Sequence, residues 1–466
     1  MRVLLISTYE LGRQPVHLAS PAAFLRRAGH EVRTADLAVD DLDHELVTWA
    51  DRVAISVPMH TATRMADQVA GALAAARPEL PLALFGLYAG VASAEFDARF
   101  DGEYEPGLLE WVSNGIGSEP DAMGLGPASW SGSLHRHLGR SEFVVPERSD
   151  LPPLDRYARL EMEGETRLAG AVEASHGCRH RCRHCPIPAV YDGRIRVVPG
   201  DDVLADISNL VAAGAGHITF GDADFLNAPP HSLGIIERAH QAHPDVTFDA
   251  TIKVEHLIDH RDLLPRLAAA NLLFIVSAFE SVDDRTLEIL AKGHTLTDMS
   301  HAIELTRQVG IYIRPTWLPF LPWTEPADIA EILDFLDHHD LVGATDPVQM
   351  AIKLLIPRGS LLEDHPAVTP HLDGYDEKAL SWRWDFADPE TAVLHKELET
   401  IAANASDCGQ DTAVTLNEMR VAVVRVSGRA LEPFHASSPS PRLTESWYCC
   451  AEPTSAQAVS LQIGRH

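Results

Sequence analysis

The sequence predicts an α/β protein built as two successive sheet-and-helix units, the first doubly wound and the second a partial barrel, with a C-terminal extension. Three observations carry this. Short apolar strands alternate with helical segments over residues 1–112, the rhythm lapses over 113–170, and it returns over 171–360, leaving 361–466 less regular. A length of 466 residues suits two or three domains. With 45% hydrophobic and 23% charged residues, the chain has ample material for a core.

In the first unit, VLLIS (3–7), EVRTADL (31–37), RVAISVP (52–58) and LPLALFG (80–86) read as strands. SPAAFLRRAGH (20–30), ending near Gly29, and MADQVAGALAAARPE (65–79) read as helices. Apolar strands separated by helices imply a parallel sheet covered on both faces, a flavodoxin-like arrangement. The next segment contains SNGIGSEPDAMGLGPASWSGS (113–133) and VVPERSDLPPLDRYA (144–158) and reads as an interdomain linker.

The second unit offers AVEASHG (171–177), HITFGD (217–222), VTFDATI (246–252), LLFIVSAF (272–279), GIYIRPTWL (310–318) and QMAIKLLI (349–356) as strands, with helical segments between them. These units are too few for a closed eight-fold barrel. They suit a partial (βα)6 barrel with its chemistry at the C-terminal strand ends. In the extension, LHKELETIAANA (394–405) reads as a helix and RVAVVRVSG (420–428) as a strand.

The formal net charge of −29 repels nucleic acid and anionic membrane, so neither is an expected partner. No apolar run reaches the roughly 18 residues that suggest a bilayer span. MRVLLISTYELG reads as a strand and its turn rather than a leader, and the expected location is cytoplasmic. Six cysteines in such a chain argue for metal or redox chemistry rather than a disulfide framework.

Three of them, Cys178, Cys182 and Cys185, form C-x3-C-x2-C in GCRHRCRHCP (177–186), just after the first strand of the second unit. A structural zinc site with His180 or His184 as fourth ligand is one reading. However, ligands crowded into one loop have no distant segment to clamp. Three cysteines on an iron–sulfur cluster leave one iron open, which is useful where chemistry happens.

This motif, closing a first barrel strand, resembles the signature of radical SAM enzymes. The resemblance spans about 170–360. It implies that Cys178, Cys182 and Cys185 bind a [4Fe-4S] cluster whose open iron chelates S-adenosylmethionine (SAM). An electron from an external donor such as flavodoxin or ferredoxin then cleaves a carbon–sulfur bond of SAM. His184 stands where the family places an aromatic residue near adenine. Gly221-Asp222-Ala223-Asp224 is similar to the acidic variant of the segment that meets the methionyl amine, so Asp222 and Asp224 are candidate ligands. Lys253 and Glu255 follow the third strand, toward the ribose or carboxylate. FESVDDRTLEILAKG (279–293) resembles the fourth-strand region, with Glu280 and Ser281 at the strand end, and Arg314 is a candidate partner for the methionyl carboxylate. Each of these also reads as a turn cap or an ordinary polar residue.

A flavodoxin-like domain before such a barrel resembles the cobalamin-binding domain of cobalamin-dependent members, and GEYEP (102–106) is similar to its Gly-Glu-rich ending. D-x-H-x-x-G is missing, and the lone His60 reads as structural. The resemblance therefore admits cobalamin without a motif that requires it.

WYCCAEP (447–453) places Cys449 beside Cys450. A vicinal pair constrains almost no loop, but two thiolates hold a thiophilic centre or exchange disulfides; ordinary tail cysteines are the plain alternative. The ending resembles that of radical SAM proteins with a CUAEP or CCAEP tail, a group that includes enzymes of arsinothricin biosynthesis. That likeness implies transfer of the 3-amino-3-carboxypropyl group of SAM to trivalent arsenic. Arsenite would be held by Cys449 and Cys450, with Cys408 as a third thiol. Two rivals stand beside it: a cobalamin-dependent radical SAM methyltransferase, and a non-catalytic iron–sulfur or metalloid-binding protein.

Overall fold

The computed structural model describes residues 1–114, 132–434 and 440–445. The first sheet contains β1 (Arg2–Ser7), β2 (Glu31–Asp36), β3 (Arg52–Ser56), β4 (Leu82–Phe85), β5 (Ala98–Gly102) and β6 (Leu134–His137). Their order is β2-β1-β3-β4-β5-β6, parallel throughout. The connecting helices are α1 (Val16–Arg27), α2 (His44–Trp49), α3 (His60–Ala76) and α4 (Glu105–Asn114). Alternate residues of β1 feed opposite faces, as the strand period requires. Val3 and Leu5 join a core with Phe100 and Trp111, whereas Leu4 and Ile6 join one with Ile55 and Leu84. Both faces being covered explains why these strands read as continuous apolar runs.

The segment expected as a linker is more ordered than its composition suggests. β6 extends the first sheet, while β7 (Arg159–Met162) and β8 (Glu165–Val172) form an antiparallel hairpin that begins the second. Arg148, between them, is pinned by two hydrogen bonds to Asp206 and one to the Ala171 carbonyl.

After the short antiparallel pair β9 (Ser175–Gly177) and β10 (Ile195–Val197), the second sheet continues with β11 (His217–Phe220), β12 (Thr247–Thr251), β13 (Leu272–Glu280) and β14 (Tyr312–Trp317). Strands β8, β11, β12, β13 and β14 are parallel. Helices α5 (Ile187–Tyr191), α6 (Gly200–Ala212), α7 (Pro229–Ala242), α8 (Val254–Asp259), α9 (Leu264–Ala269), α10 (Asp284–Ile289), α11 (Leu296–Gln308) and α12 (Pro326–His338) connect and flank them. The sixth barrel strand is vestigial. Pro347–Ala351 forms a 3-10 turn, and only Lys353 bridges to Phe320. The Gln349 side chain, at 3.1 Å, takes the Trp317 amide that a further strand would have paired.

The extension holds the hairpin β15 (Leu372–Asp376) and β16 (Ser381–Trp384), then α13 (Pro389–Cys408) and α14 (Thr412–Ser427). RVAVVRVSG is therefore helical, not a strand. Asp411 caps its start, Gly428 closes it with φ 67°, and Leu416, Met419, Ala422 and Val423 bury one face at helical spacing. Finally, β17 (Arg442–Leu443) pairs antiparallel with β7, completing the order β14-β13-β12-β11-β8-β7-β17. No helix among the described residues is long and apolar enough to cross a membrane.

Candidate active site

The C-terminal strand ends of the two sheets face one cavity of about 310 Å³. From the first domain come Glu10, Leu11, Met59, Leu87, Gly102 and Tyr104. From the second come Cys178, Cys182 and Cys185, along with His184, Asp222, Lys253, Glu280 and Lys292. The volume falls at the lower end of the range for small-molecule sites.

The cysteine loop leaves β9 at Gly177, where φ is 77° and a Cβ would stand 2.4 Å from the Arg194 carbonyl oxygen. Only glycine fits that turn. Cys178 and Cys182 are buried and Cys185 is half-buried. Burial pushes the Cys178 thiol up to about 11, so its thiolate calls for a cation at close range. The two loop histidines have partners of their own. His184 Nε2 donates to Glu280 Oε1 at 3.0 Å, and His180 Nε2 lies 3.1 Å from His256 Nε2. Three sulfurs on one cavity wall are the donor set a three-cysteine [4Fe-4S] cluster needs, with the cavity beside it for SAM.

Asp222 lies in this wall, accepting from the Ala174 amide at 2.9 Å and from Ser175 Oγ at 2.5 Å. Burial raises its carboxyl to about 7. Glu280 ends β13 in the left-handed region, with φ 67°, beside a register shift. That strained bulge directs its carboxylate to both His184 and Lys292. Lys253 lines the cavity with its Nζ 3.2 Å from Glu255 Oε2.

Other expected residues fall outside the cavity wall. Asp224 caps the turn at Leu226, and its other oxygen accepts the Lys253 amide at 3.3 Å. Together with His180 and His256 it makes a three-residue group whose donor atoms lie within 4.8 Å of one another. Because Asp224 does not line the cavity, the group reads as a brace between the cysteine loop and the barrel. Glu255 sits behind Lys253, against His180. Ser281 Oγ accepts the Asp283 amide. Arg314 donates to the Pro441 carbonyl and pairs with Asp346. Cys408 is exposed at the end of α13 and is not among the lining residues. Cys449 and Cys450 lie outside the described residues.

The structure adds residues not singled out in the sequence. Lys292 is 3% exposed and lines the cavity, in the Lys-Gly step of the fourth-strand region. A buried ionic group joins the domains. His176 Nδ1 meets Glu103 at 3.0 Å and its Nε2 meets Glu173 at 3.4 Å, while His17 lies 3.0 Å from Glu10 and 3.5 Å from Glu173. Burial opposes charge on His17, but Glu10 and Glu173 outweigh it and raise its pKa to about 9. The Glu103–His176 and His17–Glu173 pairings join residues far apart in sequence, with no motif to mark them.

Residues 172–336 match the family model described as the Radical SAM superfamily. The hopanoid C-3 methylase of Methylococcus capsulatus is 24% identical over 314 residues, covering 64% of this chain and 60% of the methylase. The ribosomal protein uS12 methylthiotransferase RimO of Thermus thermophilus is 27% identical over 245 residues, covering 47% of this chain and 55% of that enzyme. The chain thus spans three-fifths or less of the length of these two curated relatives. Among solved structures, the cobalamin-dependent SAM radical enzyme OxsB, with aqua-cobalamin and SAM bound, superposes with TM-score 0.63 at 14% identity. That match covers 87% of this chain and 66% of OxsB. The radical SAM methyltransferase TsrM from Kitasatospora setae, with tryptophan and a SAM analogue bound, gives 0.55 at 18% identity, covering 73% of this chain and 71% of TsrM. These likenesses extend the shared fold across both sheets.

Proposed function

We propose that this chain, whose residues 172–336 are a radical SAM domain, transfers a carbon group from SAM to a second substrate bound between its two domains. The observation that carries the proposal is the shared cavity: three cysteines on one wall and the strand ends of a doubly wound sheet on another. Cys178, Cys182 and Cys185 would hold the [4Fe-4S] cluster, which supplies the electron that cleaves a carbon–sulfur bond of bound SAM. Asp222 accepts the methionyl ammonium. His184 and Lys253 line the nucleoside side, and the apolar first-domain wall of Leu11, Met59 and Leu87 excludes water.

Methyl transfer with cobalamin on the first domain is the reading favoured by the likeness to the methylase, OxsB and TsrM. Among the described residues, the cavity-wall imidazoles of His17, His176 and His184 each meet a glutamate at 3.0 Å, and His60 Nε2 bonds to the Leu380 carbonyl.

A second reading, aminocarboxypropyl transfer to thiol-bound trivalent arsenic, is favoured by where the described chain ends. Tyr9 donates to Glu445 at 2.6 Å, and a Cβ at Gly12 would meet the Glu445 side chain at 2.7 Å. The neighbouring Glu10, Leu11 and Arg13 line the cavity. Cys449 and Cys450 follow Glu445 four and five positions later in the sequence.

Product analysis after anaerobic reconstitution with SAM and reductant tests both readings. Cobalamin retained by the protein, with S-adenosylhomocysteine or 5′-deoxyadenosine formed, supports methyl transfer. Methylthioadenosine with an arsenic-containing amino acid, formed only with arsenite and lost in Cys449→Ser/Cys450→Ser, supports the second. No SAM consumption by fully loaded protein rules out both.

A further inference from the structure

The cysteine loop rests on the segment that follows β13. The Arg183 amide donates to the Leu290 carbonyl at 2.9 Å, and its guanidinium donates to the carbonyls of Glu288 and Ile289 at 3.0 and 2.7 Å. Glu280 Oε1 accepts from His184, the residue before Cys185, and from Lys292 Nζ at 3.1 Å. Gly293, with φ 76°, turns the chain directly after Lys292. The result is a buried lysine that lines the same cavity as the sulfurs.

Taking an ammonium out of water costs several kcal/mol unless opposite charge is close. Glu280 supplies one such charge. Burial works against the Lys292 cation, but Glu280 first, and then Cys182 and Cys185, outweigh it and raise its pKa. Burial pushes the Glu280 carboxyl up, but Lys292 and His184 outweigh it and hold it below its usual range. Lys292 and Glu280 both line the cavity that the three cysteines line, so both charges act on that site.

Resting on the radical SAM reading above, we propose that Lys292 is a positioning residue whose fixed charge raises the midpoint potential of the cluster held by Cys178, Cys182 and Cys185, with Glu280 tempering that charge. Reduction adds negative charge to the three-cysteine site, and a cation in low-dielectric surroundings stabilises the reduced form. Removing the lysine and removing the carboxylate must therefore shift the potential in opposite directions. A merely structural role would not produce that sign change.

The test is an EPR-monitored redox titration of the full chain, anaerobically reconstituted, without SAM, alongside iron and sulfide content. Lys292→Met is expected to lower the reduced-to-oxidised ratio at fixed potential about tenfold, about 59 mV for one electron. Lys292→Arg should stay within about threefold of the parent, and Glu280→Gln should shift the midpoint upward. An unmoved midpoint in fully loaded Lys292→Met, or shifts of the same sign in Lys292→Met and Glu280→Gln, overturns the proposal. If Lys292→Met fails to load, Glu280→Gln decides: an upward shift supports the proposal and any other result overturns it. A parent protein without a [4Fe-4S] signal would instead sink the radical SAM reading itself.

Discussion

Glu103, at the end of β5 in the first domain, accepts a hydrogen bond at 3.0 Å from His176, two residues before the first cluster cysteine. The Glu103 side chain is fully buried, and its second oxygen accepts from Tyr191 at 3.1 Å. Burial pushes the Glu103 carboxyl up, but His176 and Tyr191 overcome it and hold the group below its usual range. This pair is how the doubly wound sheet holds the cysteine loop.

Breaking it leaves a buried charge unmatched, a loss of about 3–5 kcal/mol. Glu103→Gln should lower stability in chemical denaturation by that order. It should also slow cluster loading, because His176 then loses its anchor. Unchanged denaturation and loading would show that the two domains dock without this pair.

Asp222 gives a pH-dependent prediction. Its carboxyl is raised to about 7 by burial, and only the ionised form pairs with the methionyl ammonium. SAM affinity should therefore strengthen as pH rises through about 7. Asp222→Asn should weaken binding and flatten that profile. The stability effect has the opposite sign. The folded protein favours the protonated carboxyl, so stability is lost as pH rises from the unfolded carboxylate range toward about 7. Equilibrium binding of SAM across pH 6 to 8 checks the first effect, and a flat profile in the parent refutes the role.

The Arg148–Asp206 pair is nearly enclosed, with side-chain exposures of 9% and 3%. Arg148→Ala should cost about 3–5 kcal/mol in a denaturant melt, far above the roughly 0–1 kcal/mol of a surface pair. A loss below 1 kcal/mol would mean that residues 138–158 act only as a tether.

His60 reports acid sensitivity. Burial lowers its pKa from 6.5 to about 4, and its neutral ring bonds to the Leu380 carbonyl at 3.3 Å. Its contribution is fully present above 6.5 and is lost as pH falls toward about 4, by up to about 3 kcal/mol. His60→Asn should reduce the acid destabilisation seen in thermal melts over that window. An unchanged acid limb would assign the loss to other groups.

Much of the molecule was legible locally. VLLIS, RVAISVP and LPLALFG were readable because both faces of the first sheet are covered, so these runs are almost wholly apolar. The cysteine spacing was readable because three ligands share one loop. RVAVVRVSG misled because its valines suggest a strand, whereas the cap at Asp411 and the glycine at 428 carried the helix. The short β6 was hidden, since its LHRH sequence has no apolar run and only pairing with β5 makes it a strand.

The sequence by itself determined the α/β class, the order of the two units and the three-cysteine loop. These follow from local periodicity and from ligands close together in the chain. Only the tertiary structure decided which polar residues reach the cavity. It admits Asp222, Lys253, Glu280 and His184, sets Asp224, Ser281 and Arg314 to caps and braces, and adds Lys292 and the Glu103–His176 pair. A carboxylate's role depends on which buried donor it meets, and those donors come from segments distant in sequence that folding brings together.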